Sequence, residues 1–326
     1  MELLDQQTTE GSRVAATVGA IMGEIRKVVV GQEAVVEQVL VTLLANGHVL
    51  LEGVPGVAKT LLVRTIALAI SADFKRIQFT PDLMPSDVVG TNVFDPSRGE
   101  FRLRLGPVHT NILLADEINR TPPKTQAALL EAMEERRVTI DGDPNPLPSL
   151  FMVLATQNPI EYEGTYPLPE AQLDRFMLKV LVGYPEAAEE HRVLQSYNAG
   201  FNMLNLEDAG VKGVTNESDI AACRDEISKV VVDDPIMTYI GEVVRRTRQD
   251  RNLILGASPR ASITLLLTSK ALAAMRGRNF VIPDDIKSLA PAVMRHRLIL
   301  RPEAEIEGLT PDRVVANILA SVEVPR

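Results

Sequence analysis

Apolar residues recur at helical spacing over residues 12 to 28, at Val14, Val18, Ile21, Met22 and Ile25, and predict a helix that ends near Lys27. The segment V-V-V-G-Q-E follows, and a second helical pattern runs from Glu33 to Ala45. The pattern then changes to short runs. His48 to Leu51, Lys75 to Phe79, residues 111 to 117, residues 150 to 156 and Met177 to Val182 each read as a strand, and runs such as L-F-M-V-L-A-T have the unbroken apolar character of a strand buried on both faces. Helical patterns lie between them, one carrying Leu61, Leu62, Ile66, Ala69 and Ile70, another running from Lys124 to Glu135 with Ala128, Leu129, Ala132 and Met133 on one face. Strands alternating with helices predict an α/β domain built on a parallel sheet. Residues 93 to 105 break the alternation: Phe101, Leu103 and Leu105 alternate with Arg102 and Arg104, as in a hairpin that is an insertion rather than part of the core, and such insertions are frequently where partners bind. A second hairpin is predicted at R-R-V-T-I-D-G-D-P. Tyr184-Pro185 closes the sheet region. Residues 186 to 199 begin a helix, 200 to 219 are Gly- and Asn-rich and read as a linker, and helical patterns resume at 219 to 229, 235 to 250, 260 to 276 and 283 to 296. Two domains are expected, residues 1–185 and 186–326.

The stretch from 50 to 66, L-L-E-G-V-P-G-V-A-K-T-L-L-V-R-T-I, joins the first strand to its helix through a Gly-rich turn. A strand, such a turn and a helix form an anion site, because successive N–H groups curl inward and the positive end of the helix dipole faces the curl. The expected cradle is Gly53, Val54, Pro55, Gly56, Val57, Ala58, Lys59, Thr60 and Leu61, with Lys59 on the β- and γ-phosphates and the Thr60 hydroxyl on Mg²⁺. The pattern G-x-x-x-x-G-K-S/T is met except at its second glycine, which is Ala58. A methyl there is tolerable if the residue has helical φ, since only positive φ demands glycine. An ordinary Gly/Pro turn is the alternative. Residues 28 to 32, an apolar stretch broken by Gly31, are expected beside the base and suit adenine, although they also read as a plain loop.

Two further strand ends and one helix start add chemistry. N-I-L-L-A-D-E stops at Asp116, expected to hold Mg²⁺ through its water shell, and Glu117, expected to polarise the water that attacks the γ-phosphate. Adjacent acids also start helices, but a phosphate loop upstream favours the catalytic reading, and Glu117 favours hydrolysis over transfer to a metabolite. Asn158 ends another strand, where it either bonds the γ-phosphate or attacking water or simply forms a turn. In G-A-S-P-R-A, Pro259 suits the first helical position. Arg260 then sits in the first turn, where the dipole disfavours a cation, and either faces a phosphate or is a solvated arginine.

The set G-V-P-G-V-A-K-T, L-L-A-D-E-I-N-R, A-T-Q-N-P, P-E-A-Q-L-D-R-F and G-A-S-P-R-A resembles the MoxR family of AAA+ ATPases over nearly the whole chain. The resemblance implies a five-stranded sheet of order 5-1-4-3-2 with a C-terminal helical lid. It makes Lys59 and Thr60 Walker A residues, Asp116 and Glu117 Walker B residues, Asn158 sensor 1, Arg175 the arginine finger and Arg260 sensor 2. It also implies ATP and Mg²⁺ as cofactors and a homo-oligomeric ring, most often a hexamer. The implied role is a chaperone-like one in remodelling, maturing or activating client proteins, metal-cofactor enzymes among them, often beside partners with a von Willebrand factor A domain.

Composition narrows the alternatives. Of 326 residues, 45% are hydrophobic and 24% charged, as in an ordinary globular protein. The net charge of −9 argues against a polyanion as main partner, so a nucleic-acid motor of the same fold is the weaker reading, and Arg245, Arg246, Arg248 and Arg251 read as a solvated helix face. A nucleotide-gated scaffold with little turnover is the other rival, against which Glu117 speaks. The single cysteine, Cys223, fits a reducing compartment, the polar start does not resemble a signal peptide, and no run is long enough to span a bilayer, which together suggest the cytoplasm. Four scattered histidines show no ligand spacing, so Mg²⁺ is expected to arrive with the nucleotide.

Overall fold

The computed structural model describes residues 12–158 and 165–325. Pro159, expected to hold the backbone beside Asn158 extended, and the polar N-terminal start lie outside them.

Five strands, β1 (Val49–Glu52), β2 (Phe74–Gln78), β3 (Ile112–Asp116), β4 (Met152–Gln157) and β5 (Leu178–Leu181), form one sheet. Every pairing is parallel and the order is 5-1-4-3-2, as the resemblance implied. The apolar runs carry a period of two that serves both faces. Val49, Leu51, Ile112, Leu114, Met152 and Leu154 enter one core, whereas Leu50, Leu113, Ala115, Val153 and Ala155 enter the other. Central strands that must bury both faces cannot alternate with polar residues, which is why the sequence shows runs.

The first core is covered by α1 (Arg13–Ile25), α2 (Glu33–Leu44) and α3 (Lys59–Ala69). The second is covered by α4 (Pro123–Glu135) together with the hairpin Arg137–Ile140/Asp143–Pro146. After β5 come α5 (Ala187–Asn198), α6 (Glu217–Ser228), α7 (Asp234–Thr247), α8 (Pro259–Met275), α9 (Pro283–Met294) and α10 (Pro311–Ser321). Helices α6 to α10 pack into the first core rather than forming a separate one: α8 meets α1 and α2, and α9 meets β5. Several features escaped the sequence pattern, among them the short helices Pro85–Val89 and Pro302–Ile306. So did α10 and the short antiparallel pair Leu253–Leu255/Ile299–Leu300.

The expected hairpin runs from Gly90 to Leu105, and Phe94 and Phe101 stack across it at 5.3 Å while both remain exposed. The expected linker is a fastened strap. Arg64 on α3 donates to the carbonyls of Met203 and Leu204, Val214 and Thr215 donate to the Ala69 carbonyl, and Leu206 and Val211 are buried. Among the described residues no helix is long and apolar enough to cross a membrane.

Candidate active site

The phosphate loop leaves β1 at Gly53, where a Cβ would meet the Val182 carbonyl oxygen, so the close approach to β5 requires glycine. Gly56 has φ +86° and Ala58 φ +59°. Ala58 therefore contradicts the expectation of helical φ. It is the N-cap of α3 in the left-handed region, where an L-residue crowds its Cβ against the following carbonyl. A left-handed residue in such a turn lets successive backbone N–H groups face inward, so strain and an anion-binding shape can come from one conformation.

Lys59 opens α3, and its Nζ donates to the Gly53 carbonyl at 2.6 Å. Burial pushes the Lys59 ammonium down from its ordinary range, while the charges of Asp116, Glu117 and Glu52 pull it back. Lys59, Thr60, Asp116, Glu117, Thr156 and Asn158 line one cavity of about 380 Å³, with Pro55, Gly56, Ala58 and Leu61 on its loop side. Among the expected residues, Gly53, Val54, Val57 and Gly31 do not line it, and Val57 is buried in the core instead. Gly31, at φ +73°, lies against Glu189 of α5, whose carboxylate a Cβ would strike.

The carboxylates are held by their neighbours. Asp116 Oδ1 accepts from the Thr156 hydroxyl at 2.6 Å, and Thr156 Oγ1 accepts the Glu117 N–H at 2.8 Å, which ties β3 to β4 at their carboxyl ends. Asp116 Oδ2 accepts from Arg76 at 2.6 Å. Glu117 has φ +58°, and its Oε2 accepts from Gln78 at 2.8 Å and pairs with Arg120 at 3.1 Å. A carboxylate fixed through one oxygen keeps the other for a water. The Thr60 hydroxyl and the Asp116 carboxylate are hard oxygen donors in one cavity with Lys59, a set that fits Mg²⁺ carried by a triphosphate. Among the described residues no group of three or more His, Cys, Asp or Glu could hold a metal by itself.

Arg175 and Arg260 line a different cavity of about 230 Å³, with Glu134, Arg136, Asp174 and Arg297. Arg175 Nη2 lies 3.0 Å from Glu134 Oε2, and Arg260 Nη2 lies 3.4 Å from Glu134 Oε1. Pro259 is the first residue of α8 as expected, but Arg260 meets neither a phosphate loop of its own chain nor solvent alone. Asp174 pairs with Arg297 at 2.5 Å. Arg136 donates to the carbonyls of Phe151 and Asn46, and Arg137 pairs with Glu135.

Tyr197 of α5 and Met203 of the strap also line the phosphate cavity, and nothing in the sequence pattern marked them. Thr156 could have been found, as a hydroxyl one residue from a strand end beside the Asp-Glu strand.

A phosphate loop on β1, a carboxylate pair on β3 and an asparagine just beyond β4, on a sheet of this order, define a P-loop ATPase of the AAA type. Residues 48–178 match the model of the ATPase family associated with various cellular activities, and residues 245–318 match an AAA lid domain. The chain is 50% identical to the uncharacterized protein YeaC of Bacillus subtilis over 94% of each. It is 45% identical to chaperone MoxR1 of Mycobacterium tuberculosis over 93% of this chain and 81% of that one. Protein MoxR of Methylorubrum extorquens is 30% identical over 93% of each. A solved structure from Cytophaga hutchinsonii superposes with TM-score 0.88 at 42% identity over 96% of each chain. The chain belongs to the MoxR family of AAA+ ATPases and is an ATP hydrolase.

Proposed function

We propose that the chain acts as a homo-oligomer, a hexameric ring by family resemblance, that converts ATP binding and hydrolysis into remodelling or activation of a client protein. Residues 1–185 form the nucleotide-binding unit and 186–326 the strap and lid. The backbone of Gly53 to Leu61 cradles the phosphates, and Lys59 neutralises the β- and γ-groups. Thr60 and Asp116 hold Mg²⁺, which when bound offsets the charge that develops on the phosphate oxygens. Glu117 orients the attacking water, and Asn158 bonds that water or the γ-phosphate. Gly31 and its neighbours sit beside adenine. The name chaperone MoxR1, borne by one relative, supports a client role, and von Willebrand factor A domain proteins are the partners the resemblance suggests.

One observation carries the oligomeric part. The phosphate cavity has every group for binding and water activation, yet Arg175 and Arg260 line a separate one. A guanidinium on the transferring phosphoryl group is worth roughly 10³- to 10⁵-fold in rate, and the two guanidiniums beside this cavity, Arg76 and Arg120, are paired with Asp116 and Glu117. We assign Arg175 and Arg260 to the nucleotide of the neighbouring subunit. The test mixes Arg175→Ala with Glu117→Gln. Each alone binds ATP and fails to hydrolyse it, and together they regain activity, because the first supplies Glu117 and the second Arg175. No gain despite demonstrated co-assembly refutes the assignment.

A further inference from the structure

The second cavity contains four guanidiniums of two kinds. Arg136 is spent on two main-chain carbonyls, and Arg297 is buried against Asp174. Arg175 and Arg260 are more exposed, and they share one carboxylate, Glu134, each guanidinium taking a different oxygen. Asp174 reaches Arg260 only at 4.0 Å. Glu134 sits in the last turn of α4, followed by Glu135, where the helix dipole disfavours negative charge. A carboxylate placed against its own helix and between two cations is held there by those cations.

Resting on the trans assignment above, we propose that Glu134 is an internal stand-in for the neighbour's γ-phosphate. It holds Arg175 and Arg260 in the unassembled chain and releases them only to a nucleotide that out-competes it. A γ-phosphate carries more charge than a carboxylate and presents three oxygens to two guanidiniums. ATP therefore draws both arginines across the interface. ADP ends one phosphate short and leaves them on Glu134. The carboxylate thus sets how strongly assembly depends on the nucleotide's third phosphate, since a ligand shifts an equilibrium only through its differential affinity for the two states.

Glu134→Gln keeps the shape and removes the charge. Assembly is measured by sedimentation against protein concentration, with a non-hydrolysable ATP analogue and with ADP. Two partly exposed ion pairs released together correspond to a shift of roughly 3- to 30-fold. With the analogue, Glu134→Gln should assemble at a concentration lower by about that factor; with ADP its midpoint should not move. In an Arg175→Ala/Arg260→Ala background the same change should have no effect, because no arginine remains to be released. Glu134→Ala should behave as Glu134→Gln does, and unchanged thermal unfolding of both confirms that the fold is intact. An unmoved or raised midpoint with the analogue, an equal shift with ADP, or an effect that survives without the arginines overturns the proposal while leaving the trans assignment standing. If Arg175→Ala/Arg260→Ala itself assembles and hydrolyses like the wild type, the trans assignment fails and the proposal falls with it.

Discussion

Acid should loosen this fold through His48, by an amount the structure sets. The Val153 N–H donates to Nδ1 at 2.9 Å, so that nitrogen must keep its lone pair, and Nε2 is left to donate to the Met133 carbonyl at 3.2 Å. The ring is buried and packs against Phe151 at 5.6 Å. Burial, and then the charge of Arg136, lower the His48 pKa to about 3. An unfolded histidine titrates near ~6.5, so between those values the unfolded chain takes up a proton that the native chain refuses. Stability present above the unfolded pKa is therefore lost as pH falls, by about 2 kcal/mol at pH 5, against a typical total of roughly 5–15 kcal/mol. His296 is pushed well below its ordinary value, first by burial and then by Arg297, and works in the same direction. The assay is guanidinium unfolding followed by circular dichroism, near neutral pH and near pH 5, for the wild type and for His48→Asn, whose side-chain oxygen still accepts from Val153. The variant's own packing loss is common to both conditions and cancels. The wild type should lose about 2 kcal/mol more than the variant between them, and the His48 ring resonance should not titrate in that range. Equal losses, or a resonance that titrates near its unfolded value, would refute the reasoning.

Ala58→Gly should stabilise the fold by roughly 0.5–1 kcal/mol, since relief of the left-handed strain outweighs the added freedom of the unfolded chain; a lowered thermal midpoint would show that the turn is not strained. Lys59→Ala should abolish ATP binding by calorimetry, whereas Glu117→Gln should bind ATP with normal affinity and release no phosphate in a turnover assay. Arg260→Ala should leave ADP affinity unchanged and weaken the preference for ATP in the assembled form; equal loss for both nucleotides would make the residue structural.

The parts of this molecule that could be read from sequence are those in which one local pattern has one physical meaning. Unbroken apolar runs such as 150 to 156 meant a strand buried on both faces, and Leu154 and Ala155 do enter opposite cores. Lys59 and Thr60 could be placed because a phosphate loop is built from consecutive residues. Ala58 was misjudged because its φ depends on the path the loop must take between β1 and α3, which no single residue type reveals. Residues 200 to 219 read as a linker from their glycines and asparagines. Their fastening depends on Arg64 and the Ala69 carbonyl, contacts that are distant in sequence. The same limit hid Tyr197. It lies on α5, a helix with no buried residue, so no apolar stripe marked the face turned to the phosphates. For Arg260 the local clue, a cation in a first turn, suggested a phosphate, whereas the fold places the Glu134 carboxylate of α4 against it, a contact distant in sequence.

Helix α4 shows why two cavities without a shared residue can still belong to one machine. It begins just after the turn that carries Glu117, and Gln126 fixes that end by donating to the carbonyls of Ile118, Thr121 and Tyr166. Its far end carries Met133, bonded to His48, and Glu134, which holds the two arginines. The helix packs Leu129, Leu130, Ala132 and Met133 into the second core, so it cannot bend freely between its ends. If Glu134 controls the two arginines as proposed above, a shift in the backbone around Glu117 would be passed to it along a rod about 20 Å long. An arginine supplied to the neighbour's nucleotide would in this way depend on the state of the nucleotide in its own subunit.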